Sequence, residues 1–120
     1  MIADLHLHSN ASDGSLSPEA LVVLLKQYSV SVAALTDHDT VAGVSAFLRA
    51  CEEHGIRGVA GAEFGAKSKR GGVLHILGLG FEPAHEAIGN LMRKAVEARK
   101  ERNQKILGKL AKMNMAVGDE

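Results

Sequence analysis

Short apolar runs alternate with amphipathic stretches along the first two thirds of this 120-residue chain, and that alternation limits the fold more than any other feature. Ile2 to His8 alternates apolar and polar residues and reads as a strand. Ser17-Pro18-Glu19 opens a helix: Ser17 can cap it, Pro18 suits its first turn, and Glu19 favours its positive end. The stripe Leu21, Leu24, Leu25 and Tyr28 follows at helical spacing. Val30 to Thr36 is a second apolar strand, and a helix from about Val41 to His54 stops at Gly55. Arg57 to Phe64 and Val73 to Leu79 are two more strands, with Gly71-Gly72 marking a turn before the last. From Pro83 a long helix reaches Met113, its apolar positions Ile88, Leu91, Met92, Ala95, Ile106, Leu107 and Leu110 falling in two blocks around a polar stretch at Arg99 and Arg102. Consecutive βα units with short loops imply parallel strands and right-handed crossovers, hence an α/β sheet or a growing barrel.

Bulk properties exclude several classes. Formal net charge is zero, so bulk binding of double-stranded nucleic acid is not expected. Aromatic residues make up 3% with no Trp, which argues against base-stacking platforms. No apolar run is long enough for a membrane span, and no basic region precedes an apolar run at the N-terminus. The single cysteine, Cys51, cannot form an internal disulfide and reads as a buried apolar residue. A cytoplasmic setting is the expectation.

Chemistry concentrates where strands end. In Asp4-Leu5-His6-Leu7-His8, alternation puts Asp4, His6 and His8 on one face, two imidazoles side by side as a chelate needs. Asp4 is placed to accept a hydrogen bond from a ligand imidazole. The loop Ser9 to Gly14 then supplies Asp13, a further candidate ligand that taken alone suits an Asp-Gly turn. Thr36-Asp37-His38-Asp39-Thr40 ends the second strand, where parallel α/β folds build their sites. A helix cap explains Asp39 or Thr40 but not His38, and Asp37 is expected to support the ligands from behind. Glu63 follows the small apolar run Val59 to Ala62. It therefore needs a partner, either metal ions bridged by its carboxylate or a lysine such as Lys67. His75 sits in an apolar strand, a place where a lone histidine is more often a core residue. Here all four strands deliver a ligand-type side chain. His54, at a helix end, and His85, at a helix start, fit local roles.

The order and spacing of Asp4-Leu5-His6-Leu7-His8-Ser9, Ser12-Asp13-Gly14, Thr36-Asp37-His38-Asp39-Thr40, Glu63 and His75-Ile76-Leu77-Gly78 resemble the successive motifs of the PHP (polymerase and histidinol phosphatase) family. The wording is most similar to its TrpH-like branch, which includes 3′,5′-nucleoside bisphosphate phosphatases and the 5′-to-3′ exoribonuclease RNase AM. The resemblance implies a distorted (βα)7 barrel, of which this chain is the N-terminal half. Residues 1–81 would carry metal-motif βα units, and 83–113 a long helix opening an inserted helical region. It implies up to three divalent ions: His6 and His8 on one, Glu63 bridging to a second that His75 joins, and Asp13 with His38 on the third. Manganese is the foremost expectation, with zinc, iron(II) or magnesium as alternatives. No catalytic group is assigned beyond these ligands. Family members are more than twice this long and carry later His and Asp-x-His ligands, so activity of this chain by itself is in question. The implied substrates are small phosphorylated nucleotides or short RNA 5′ ends, with Arg99 and Arg102 as candidate phosphate-binding residues. Competing readings are a histidinol-phosphate phosphatase, or a non-catalytic PHP module or inactive fragment.

Overall fold

A computed structural model describes residues 1–115 and 117. Four strands and three helices follow in the order β1 (Ala3–Leu7), α1 (Pro18–Gln27), β2 (Val32–Leu35), α2 (Val44–Glu53), β3 (Arg57–Lys67), β4 (Val73–Leu79) and α3 (Glu86–Lys112). They form one sheet in the order β1-β2-β3-β4. β1, β2 and the first residues of β3 run parallel, each joined to the next by a helix. β4 returns antiparallel along Gly61–Lys67. The segment between β3 and β4 is too short for a crossover helix, so a hairpin is the only possible return.

The core lies where α1 and α2 pack on β1–β3. Val22, Leu35, Val44 and Phe47 are essentially sealed from solvent, each worth about 1.5–3 kcal/mol in burial. α1 opens as its sequence predicts: the Ser17 hydroxyl accepts the Ala20 N–H at 3.2 Å, with Pro18 in the first turn. Its buried stripe differs from the expected one. Pro18, Leu21, Val22 and Leu25 face inward, the better i, i+3, i+4, i+7 set, while Leu24 and Tyr28 are exposed. α2 begins at Val44 instead of Val41, because the Thr40 hydroxyl and a Val41 carbonyl close a turn there first. At its other end the His54 ring bonds the Ala50 carbonyl at 2.9 Å, the local role expected of it, and Gly55 ends the helix with φ 65°.

α3 departs most from its sequence pattern. It starts at Glu86, with the His85 ring accepting the Ala87 N–H at 3.2 Å. None of its residues is buried, including the apolar positions of both blocks. β4 likewise leaves Val73, Leu74, Ile76, Leu77 and Leu79 exposed. β1 and β4 are the open edges of the sheet.

Candidate metal centre

The carboxyl ends of the parallel strands place the polar cluster. His8 follows β1, and His38 lies three residues beyond β2. An isolated parallel bridge sets His38 beside Glu63 of β3, with Asp39 N–H donating to the Glu63 carbonyl and Glu63 N–H to the Asp37 carbonyl, both at 3.0 Å. His75 arrives from the antiparallel neighbour β4. Strand pairing thus converts four separate sequence signals into one site.

Glu63 is its centre, only 4% exposed. One carboxylate oxygen, Oε2, lies 3.0 Å from His6 Nε2, 3.0 Å from His8 Nε2 and 3.6 Å from His38 Nδ1. The other, Oε1, lies 2.9 Å from His75 Nδ1. Burial pushes the Glu63 carboxyl up. The His6 hydrogen bond and the positive charge that His38, His6 and His75 can carry outweigh that, holding it below its ordinary value. Lys67, the alternative partner, forms no ion pair with Glu63 among the described residues.

Asp13 is the second carboxylate, exposed to solvent, with Oδ1 3.2 Å from His8 Nδ1 and Oδ2 3.4 Å from His38 Nε2. The loop that brings it there is tightly folded. Ser9 carbonyl accepts the Ser12 and Gly14 N–H groups, and a Cβ at Gly14 would stand 2.3 Å from the His8 carbonyl oxygen. Asp37 holds this loop from below. Its Oδ1 accepts the Ser9 N–H (2.7 Å) and the Ser12 hydroxyl (2.6 Å), and its Oδ2 the Ser9 hydroxyl (2.7 Å). Asp37 therefore stands behind the Asp13 loop through Ser9 and Ser12, contacts that the sequence did not name. Asp4 also differs from its expected role: its carboxylate accepts the His6 backbone N–H at 3.3 Å.

Asp39 does not cap α2, whose N-cap is Gly43. Its carboxylate accepts the Gly65 N–H at 3.2 Å and the Arg99 guanidinium at 2.8 Å. Arg99 and Arg102 line a cavity of about 320 Å³ together with His38, His75 and Lys67. Lys67 is a cation in this cavity that the sequence offered only as a partner for Glu63.

Three groups of donors emerge, within each of which the ligand atoms lie within 4.8 Å of one another: His6, His8 and Glu63; His8, Asp13 and His38; His38, Glu63 and His75. They bring together the residues paired from sequence, with His8, His38 and Glu63 each in two groups. The donors suit a divalent ion. His8 Nδ1 is buried and has no hydrogen-bond partner, its approach to Asp13 lacking hydrogen-bond geometry. A sealed imidazole nitrogen without a hydrogen-bond partner fits a metal site, where an ion would satisfy it. The mixed nitrogen and oxygen set favours first-row transition metals.

Residues 4–115 match the family described as PHP domain, and the chain belongs to that family. It is 40% identical over 109 residues to a 5′-3′ exoribonuclease of Haemophilus influenzae, covering 91% of this chain and 39% of the relative. It is 41% identical over 100 residues to a phosphoribosyl 1,2-cyclic phosphate 1,2-diphosphodiesterase of Eggerthella lenta (82% and 38%). To a 3′,5′-nucleoside bisphosphate phosphatase of Chromobacterium violaceum it is 36% identical over 99 residues (82% and 34%). A solved amidohydrolase from Chromobacterium violaceum, holding sulfate and no metal, superposes with a TM-score of 0.84 at 32% identity, over 98% of this chain and 41% of that one. The chain thus spans about two fifths of the length of these relatives, and its four-stranded sheet with α1–α3 is the N-terminal half of the distorted α/β barrel. No helix among the described residues is long and apolar enough to cross a membrane.

Proposed function

We propose that this chain carries the metal-binding part of a divalent-metal-dependent phosphoesterase acting on nucleotides, either 3′,5′-nucleoside bisphosphates or the 5′ ends of short RNA. The observation that carries the reading is one buried carboxylate, Glu63, ringed by four imidazoles beside a cavity lined by Lys67, Arg99 and Arg102. His6, His8, Asp13, His38, Glu63 and His75 would hold the ions, manganese foremost. Bound divalent ions supply phosphoryl polarisation and a water of lowered pKa. The protein groups do the rest. Glu63, short of protons and shared by two donor groups, keeps adjacent positions at a fixed spacing. Asp37 fixes the loop that presents Asp13. Arg99 and Arg102 offer planar guanidinium groups for a substrate phosphate, and Lys67 a point charge. The exoribonuclease and bisphosphate phosphatase relatives support the nucleotide class.

A second reading, hydrolysis of a ribosyl cyclic phosphate, is favoured by the Eggerthella lenta relative. Elemental mass spectrometry on the purified chain comes first. Bound manganese, zinc or iron that His6→Ala loses supports the metal reading, and no metal in either protein sinks it. Phosphate release is then compared for adenosine 3′,5′-bisphosphate, a 5′-phosphorylated dinucleotide and a ribose 1,2-cyclic phosphate. This assay uses the chain joined to the C-terminal part of the Haemophilus influenzae relative. Turnover of the cyclic ester alone would overturn the nucleotide assignment.

A further inference from the structure

We propose that Asp39 is a positioning residue whose carboxylate holds Arg99 at the partition between two substrate cavities. The proposal rests on the phosphoesterase reading above for the meaning of the cavities, but its geometry stands apart from it. Beside the cavity that Lys67 and Arg102 line there is another, of about 410 Å³, bordered by Ser12, Asp13, Thr40 and Val96. Three residues line both: His38, Asp39 and Arg99. The Asp39–Arg99 ion pair therefore stands on the boundary, next to an imidazole that belongs to two donor groups.

Asp39 is built to stay in place. Its φ is +48°, a left-handed conformation that a non-glycine residue adopts at a cost and keeps only where its surroundings dictate it. The surroundings are three bonds in three directions: its N–H to the Glu63 carbonyl, one carboxylate oxygen to the Gly65 N–H, the other to Arg99. Its side chain is 17% exposed, whereas that of Arg99 is 50% exposed. A half-exposed pair adds little to stability. What it determines is position. α3 buries no residue against the sheet, and apart from its own cap at His85, Arg99–Asp39 is the one side-chain hydrogen bond or ion pair between α3 and the rest of the protein among the described residues. Without it, no polar side-chain contact beyond the cap fixes where along the cluster the guanidinium sits. With it, Arg99 keeps further N–H donors free to face a phosphate while one is held by Asp39.

The test uses this chain, with two independent measurements. Cysteines introduced at Glu53 and Lys94, both exposed, carry nitroxide labels, the native Cys51 being buried. Pulsed electron resonance should give a narrow distance distribution that broadens alike in Asp39→Asn and Arg99→Ala. Asn keeps the Gly65 bond and tolerates the left-handed backbone, so only the negative charge facing Arg99 is lost. A distribution already broad in the parent, or unchanged in Asp39→Asn, overturns the proposal whether or not any nucleotide binds. Calorimetry with adenosine 3′,5′-bisphosphate on the manganese-loaded chain supplies the second arm. Asp39→Asn should weaken binding on the order of tenfold, have no further effect in the Arg99→Ala background, and leave manganese affinity within about twofold. An equal loss in both backgrounds, or a fall in manganese affinity of the same size, would mean that Asp39 acts through His38 and would overturn the positioning role. A narrow distribution with no nucleotide binding in the parent would uphold the positioning geometry and count against the nucleotide reading alone.

Discussion

Asp37 gives the sharpest test of how the candidate centre is held together. It is 1% exposed and accepts three hydrogen bonds, two from Ser9 and one from Ser12. Ser9 is fully buried, so when Asp37 becomes alanine its N–H loses its acceptor and its hydroxyl loses Asp37, with no water to replace it. Each such group costs about 1–3 kcal/mol when left unsatisfied. Ser12 is only partly buried and can turn to solvent. The small cavity adds to the loss, while removing a carboxylate that had to be held away from water subtracts from it. The expected net is about 3–5 kcal/mol for Asp37→Ala, a large share of the roughly 5–15 kcal/mol typical of a domain.

Asp37→Asn separates charge from shape. Its amide oxygen can still accept from Ser9 N–H and Ser12, and its NH₂ can donate to the Ser9 hydroxyl oxygen. What disappears is the strengthening that a charged acceptor gives to three bonds, about 1–2 kcal/mol in total. Urea unfolding of the metal-free chain reads both. With a slope of about 1.5 kcal/mol per molar, the alanine variant should lose roughly 2–3 M from its midpoint and the asparagine variant roughly 1 M. A loss under about 1 kcal/mol for alanine, or equal losses for both, would refute the clamp.

Other consequences follow from the same contacts. Gly14→Ala forces a Cβ to within 2.3 Å of the His8 carbonyl oxygen, so the loop must open and Asp13 move away; calorimetric titration should show manganese affinity reduced on the order of tenfold, and an unchanged affinity would remove Asp13 from the ligand set. Burial pushes the Cys51 thiol up to about 11, so Ellman's reagent at pH 8 should react far more slowly with the native chain than with the chain in urea; equal rates would contradict its burial. Glu63 is held below its ordinary value of 4.5 in the fold, so its contribution to stability is present above that value and is lost as pH falls through the lower folded-state one. In metal-free chain, the stability gap between the parent and Glu63→Gln should therefore close on acidification below 4.5, and a gap constant down to pH 2 would show that Glu63 titrates as it does unfolded.

What the sequence disclosed and what it hid divide along the range of the interactions. His6 and His8 share a strand face, and His38, Glu63 and His75 each lie at or near a strand with a clear apolar pattern. Local periodicity is enough to aim all of them at one point once the strands pair. The Ser9–Asp37 clamp joins residues 28 apart and the Asp39–Arg99 pair residues 60 apart. Neither leaves a local mark, because serine and aspartate in a loop have cheaper explanations as turn formers. The antiparallel return of β4 was readable in principle, since Gly71-Gly72 and a short connection leave no room for a crossover. The exposure of α3 was not. Periodicity reports which face of a helix is apolar, and burial requires a second surface that this chain's described residues do not supply.

The two halves of the candidate site therefore rest on different foundations. His6, His8, His38 and Glu63 stand on or just beyond strands packed against α1 and α2, over the sealed side chains of Phe47, Leu35 and Val44, while His75 comes from the exposed edge strand β4. The guanidinium groups stand on a helix with no buried residue, tied down at Asp39. Donor atoms held within 4.8 Å demand that rigidity, because a chelate loses affinity when its atoms wander by fractions of an ångström. A phosphate held by long cationic side chains makes no such demand, and the single ion pair to Asp39 is enough to set where Arg99 stands. The packing of this fold is concentrated under the donor cluster, with little of it under the arginines.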